Sequence, residues 1–176
     1  MDVFQTIATR RSIRSYRDLP VEPEKIEQIL EAARWSPSAN NRQDWKFIVI
    51  QNKTTIEQMI DVCRGQTFIA QAPVLLVACS LRPDSLMTCG HPRGTVDLSI
   101  AMTSMLLQAW SLGLGTCWLG AFSQEGVKKL LKIPEAVSVV AITPLGYPKV
   151  IPGPPARKPL DTIVCHETYS EQTDPQ

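Results

Sequence analysis

The stretch TVDLSIAMTSMLLQAWSL, Thr95–Leu112, constrains the fold more than any other part of the chain. It has helical length, few charges, and apolar or small residues on nearly every face. A helix of that kind has no solvent face, so other elements wrap it or a second subunit covers it. The chain has 176 residues, which suits one compact domain over 1–176. Domains of that size bury a real core and still gain from pairing.

The remaining elements fit around that helix. Asp2 can cap a short helix over Val3–Thr9. After Pro23, the stretch Glu24–Trp35 sets Ile26, Ile29, Leu30 and Ala33 on one helical face. SPSANNRQD breaks that pattern and reads as a loop. WKFIVIQ and VSVVAITPLG read as strands, and PVLLVACS as a central one. Thr54 and Glu57 have capping-box spacing and open a helix running to about Cys63. Ser123–Leu131 reads as a short amphipathic helix that ends before Pro134. From Tyr147 to Pro159 the chain is rich in proline and glycine, which predicts an extended arm, with LDTIVCH as a late strand. Helices and strands do not alternate as regular βαβ units, so the fold class is α+β and not doubly wound.

Several functions are disfavoured. Net charge is +1, so no global field draws nucleic acid or anionic lipid. No apolar run is long enough to span a bilayer, and the N-terminus lacks a signal-peptide core, so a cytoplasmic location is expected. The five cysteines are widely spaced without a CxxC, against both a disulfide framework and a structural zinc site. Cys89 and His91 in CGH offer two metal ligands without a second pair, and no metal site is expected. GLGTCWLG imitates a dinucleotide fingerprint. However, Trp118 stands where the third glycine belongs, and a helix precedes where a strand is needed. Gly113 is better read as a helix C-cap and Gly120 as a point of close backbone approach.

The catalytic inventory is thin. His91 and His166 are the two histidines, and no GxSxG, HExxH or obvious carboxylate pair is present. An enzyme with so few reactive side chains draws its reactivity from a cofactor. RRSIRSY, residues 10–16, is the one concentrated basic feature. Arg10, Arg11 and Ser12 suit a phosphate, which takes several charge-assisted hydrogen bonds, and Arg14 can reach another part of the same ligand. A solvated basic face is the alternative reading of the same residues.

Four ordered segments resemble the flavin-dependent nitroreductase family. They are the opening RRSIRSYRDLP with AARWSPSANNRQDW, then VDLSIAMTSMLLQAWSLGLGTCWLGAF, then PLGYPK, then ARKPLDTIV. The resemblance implies an intertwined homodimer with a central, mostly antiparallel sheet flanked by helices. It also implies FMN in clefts between the subunits, and an arm, residues 147–176, reaching the partner. By the same resemblance Arg10, Arg11 and Ser12 hold the FMN phosphate and ribityl chain, joined by Arg157 and, beside it, Lys158. Arg14 matches a basic residue near the flavin N1 and O2. Pro37, Ser38, Ala39 and Asn41 match a loop approaching the ring from the other subunit, with Gln43 in the same motif but without an assigned contact. Leu119 and Gly120 match strand residues beside the ring. No side chain is assigned a catalytic role.

The implied reaction is ping-pong hydride transfer from NADH or NADPH, through flavin N5, to a small-molecule electron acceptor such as a nitroaromatic or quinone. Other flavin chemistry on the same fold, or a flavin-binding redox module with little turnover, stays open. Two departures stand out. The family's usual proline before the tryptophan is Asp44 here. The region 64–95, where longer members carry extra helices over the cleft, is short.

Overall fold

A computed structural model describes residues 2–170, so the last six residues of the expected arm lie outside it. Nine regular elements follow in order. They are α1 (Val3–Thr9), α2 (Pro23–Arg34), β1 (Trp45–Ile50), α3 (Lys53–Val62) and β2 (Val74–Ser80). Then come α4 (Arg93–Ser111), β3 (Gly115–Thr116), α5 (Gln124–Leu131) and β4 (Ser138–Gly146). The strands form one sheet in the order β1-β2-β4-β3, and every neighbouring pair is antiparallel.

The sheet lies between two helical layers, and β2 shows why. All seven of its residues are buried. Its side chains alternate faces, as the period of two requires. Val74, Leu76 and Ala78 pack with α2 and α4, while Leu75, Val77 and Cys79 pack with α3 and α5. The long helix α4 fills the first layer with Leu98, Ala101, Met102, Met105, Leu106 and Ala109. Each fully buried Leu or Met there contributes roughly 1.5–3 kcal/mol of transfer free energy.

Local signals set most element ends. Asp2 caps α1 by accepting the Gln5 N–H at 2.8 Å, and Ser123 caps α5 by accepting the Gly126 N–H at 3.1 Å. Gly113 ends α4 with φ at +77°, the left-handed conformation in which glycine carries no steric penalty. Two expectations need correction. The cap of α3 is Asn52, whose side chain accepts the Thr55 N–H at 3.0 Å, so Thr54 lies inside the helix and its capping box with Glu57 does not form. LDTIVCH is not a strand: Leu160–Thr162 forms a 3₁₀ turn. Its residues have strand propensity, but no sheet edge accepts them as a partner. Residues 150–159 of the arm form no helix, turn or bend, in line with the expected extended arm. It is tied near its root by Lys149 N–H to Ser15 O at 2.9 Å and by the pairing of Tyr16 with Pro148.

The region 64–95 contributes β2 to the sheet. It contains the 3₁₀ turn Thr67–Gln71, all of β2 and the start of α4, which leaves residues 81–92 as a loop.

Candidate functional site

The arginine segment is laid along the sheet's edge strand. Ile13 N–H donates to Thr116 O at 2.8 Å, and Ser12 pairs with Thr116 in parallel. The approach is close enough to demand glycine at 115, where a Cβ would sit 2.5 Å from Ile13 Cγ1. Ile13 and Tyr16 point into the core, while Ser12 is half-buried and Arg14 exposed.

Around this segment the structure gathers cations. Arg10 is half-buried at the end of α1. Its guanidinium is held below the usual arginine range by burial first, then by the charge of Arg157, with a smaller contribution from Arg11. Thus Arg157, far along the chain on the arm, returns to Arg10, and Lys158 follows it on the exposed arm. Arg11 donates from Nη1 to the carbonyls of Ala8 and Arg10, each at 2.9 Å. Among the described residues no carboxylate forms an ion pair with Arg10, Arg11, Arg14 or Arg157. Like charges gathered without a counterion, one of them half-desolvated, call for an anion.

Beneath them lies Cys117, 2% exposed. Burial pushes its thiol pKa up, while Arg14, Arg10 and a hydrogen bond with the Ser12 side chain pull the other way. The next residues prolong the edge. Leu119 is buried and exchanges both backbone hydrogen bonds with Ile142, at 2.8 and 3.2 Å. Gly120 is exposed, and a Cβ built there would meet nothing within 4 Å. The close approach expected at Gly120 is therefore not to the chain itself. The space beside it is open, and the arginine and Ser12 donors fit the phosphate of FMN.

Pro37, Ser38, Ala39 and Asn41 occupy a second place. Their loop is held against α4: Ala39 N–H donates to Asp97 Oδ1 at 3.0 Å, and Ser36 Oγ meets Ser104 Oγ at 2.8 Å. Within the loop, Gln43 N–H donates to Ser38 Oγ at 3.1 Å, and the Gln43 amide donates to Asn41 Oδ1 at 3.0 Å. Asn40, Asn41 and Gln43 all take left-handed backbone angles, φ 54°, 52° and 53°. Such strain persists only where its surroundings enforce it.

The two groups are not brought together within one chain. The arginine end touches α4 near its C-terminus, where Trp110 Nε1 donates to Thr9 Oγ1 at 2.9 Å. The loop touches α4 at Asp97. Along a helix at about 1.5 Å per residue, these points lie roughly 20 Å apart.

Asp97 and Arg93 escaped sequence reasoning, and Asp44 stood out there as a departure from the family but without a partner. Asp97 is 3% exposed. Its signal was available, because the sole carboxylate of a mostly apolar helix must be satisfied by something once buried. Asp44 turns inward and accepts Arg93 Nη2 at 3.0 Å. Nothing in the sequence pairs those two, since they are joined only through the fold.

Comparison with known proteins gives a consistent result. The nitroreductase family model matches residues 7–82 and 63–147. The chain is 40% identical over 157 residues to a protein of Methanothermobacter thermautotrophicus, covering 87% of this chain and 81% of that one. It is 32% identical over 190 residues to an FMN reductase (NAD(P)H) of Bacillus subtilis, covering 98% and 76%. The NADPH:FMN oxidoreductase of Vibrio harveyi, solved in complex with NAD+, superposes with a TM-score of 0.88 at 26% identity, covering 97% of this chain and 79% of that one.

Proposed function

The chain belongs to the nitroreductase family, and from that premise we propose that it is an FMN-dependent oxidoreductase driven by NADH or NADPH. It acts as a cytoplasmic homodimer of single-domain subunits and delivers electrons to a small acceptor such as a nitroaromatic or quinone. The observation that carries this reading is the cluster of Arg10, Arg11, Arg14 and Arg157, without carboxylate partners, beside the open edge at Gly120.

Each residue then has a role. Arg10, Arg11, Ser12 and Arg157 bind the FMN phosphate and ribityl chain, with Lys158 beside them. Their net positive charge is unfavourable alone and is offset when a dianionic phosphate arrives. Arg14 supplies positive charge on the ring side, which favours added electron density there. Leu119 and Gly120 give the ring a flat backbone edge without a side chain in its plane. Bound FMN supplies the hydride relay between nicotinamide and acceptor. Pro37, Ser38, Ala39 and Asn41 reach the ring of the partner subunit. Separation of the two groups along α4 supports this, because one chain cannot close the site from both sides. No helix among the described residues is long and apolar enough to cross a membrane.

The test is the visible spectrum of natively purified protein, repeated after adding FMN and removing the excess by gel filtration. Oxidised flavin should co-elute with the protein, and NADH or NADPH should bleach it under anaerobic conditions. Protein without retained flavin under either condition overturns the reading.

A further inference from the structure

We propose that Asp44 is a positioning residue which, through Arg93, holds the loop 81–92 as a wall of the acceptor pocket. The inference rests on the flavin-dependent reading above.

The loop is an ordered hairpin. Leu86 pairs antiparallel with Pro92, Met87 N–H donates to His91 O at 2.9 Å, and Gly90 N–H donates to Met87 O at 2.8 Å. Gly90 turns the tip with φ at +87°, a conformation that favours glycine. Both ends of this hairpin are fastened to one residue. At the start, Leu81 N–H donates to the Asp44 carbonyl at 3.0 Å. At the end, Arg93 donates from Nη2 to the Asp44 carboxylate at 3.0 Å, while its backbone N–H donates to Ser85 O at 2.8 Å.

The ion pair is not a surface decoration. The Arg93 side chain is 12% exposed, and Arg93 opens α4, where the helix dipole disfavours a cation. Without Asp44 that guanidinium would stand desolvated at the positive end of a helix, so it would move. Behind it the chain has no slack. Gly94 packs so tightly on Ser80 that a Cβ would fall 2.0 Å from Ser80 Oγ. Movement is therefore taken up by the hairpin.

What the clamp holds beside the hairpin gives it a function. Asp44 directly follows Gln43, the end of the loop assigned to the partner's flavin. That loop is held by Asp97, four residues and one helical turn beyond Arg93 on the same face of α4. One turn of helix thus anchors the ring-facing loop and the hairpin together. The phosphate and ribityl contacts come from the other end of the structure and do not depend on this clamp.

The experiment compares the wild type, Asp44→Asn, Arg93→Lys and the charge swap Asp44→Arg/Arg93→Asp, all as FMN-loaded protein. Steady-state constants are measured with menadione and with nitrofurazone, and hydrogen exchange is followed in the same samples. Asp44→Asn should raise the acceptor KM about tenfold, the effect expected for breaking a coupled, desolvated pair, with flavin content and the rate of flavin bleaching by NAD(P)H unchanged. Exchange should accelerate in residues 81–93 and not in β2. The swap should recover part of both effects. Arg93→Lys, which keeps charge but loses the guanidinium fork, should fall between. Unchanged KM and unchanged exchange in Asp44→Asn, in a wild type that turns over, would overturn this inference alone. A wild type that holds no flavin would overturn the flavin reading and this inference with it.

Discussion

On the proposed reading, Arg10 shows at the scale of one residue how a binding site works against stability. Its charge is disfavoured in the folded chain by burial and by Arg157. Arg10→Ala should therefore leave the flavin-free protein at least as stable as the wild type, while FMN affinity falls. Loss of one charge-assisted contact costs about 1.5–3 kcal/mol, or roughly tenfold or more in Kd. Fluorescence titration of FMN, read beside the thermal midpoint of the flavin-free protein, checks both signs. Two glycines offer the complementary contrast. Gly120→Val meets open space, so the flavin-free thermal midpoint should stay within the small range of surface changes, about 0.5 kcal/mol, while flavin retention is lost. Gly115→Ala forces a Cβ into Ile13 and should cost about 1–3 kcal/mol in urea unfolding even without FMN. The sequence singled out Gly120, but not the reason Gly115 must be glycine. That reason is the arrival of a segment a hundred residues away.

Elements were legible where their signal was local. Helical periodicity located α2 and α5, length with few charges located α4, and an uninterrupted apolar run identified β2 as central. The misreadings have one cause. Thr54 with Glu57 satisfies a spacing rule, but Asn52 stands two residues earlier with a shorter reach to a free N–H. LDTIVCH has the composition of a strand, yet a strand exists only where another strand can pair with it. Long-range features such as the Asp44–Arg93 pair leave no local trace. The layer between β2, α3 and α5 carries a prediction of its own. Burial pushes the thiols of Cys63 and Cys79 up to about 11. Their folded-state pKa lies above the unfolded value, so the associated stability is fully present at neutral pH. It is lost as pH rises from the ordinary thiol range, near 9, toward 11. Urea midpoints should fall across that interval, and less steeply in Cys63→Ala. Alkylation at pH 8 should label the exposed Cys89 and Cys165 quickly and the three buried thiols only after unfolding.

For the whole molecule, the nearly all-apolar surface of α4 is only half covered by one chain. Helix α4 is covered by α2 and the sheet along one side. Its other side shows a stripe of Val96, Ile100, Thr103 and Leu107, spaced at helical intervals, with Ile100 and Thr103 exposed. Nearby helix α1 exposes Val3, Phe4 and Ile7, and the arm exposes Ile151, Leu160 and Ile163. On the proposed homodimer reading, apolar surface of this extent, spread over three elements, is the face a second copy covers. On the proposed reading the division of the site along α4 points the same way, because the loop from Pro37 to Asn41 then serves a flavin other than the one its own chain would hold, roughly 20 Å off. Pairing and cofactor binding should therefore fail together. Light scattering of the wild type should give a dimer mass. Ile100→Glu places a charge in the centre of the stripe, far from every residue assigned to the phosphate. It should yield a folded monomer by circular dichroism and lose FMN retention. A monomer that still holds flavin as tightly as the wild type would show that one chain suffices, and would remove the partner's loop from the site.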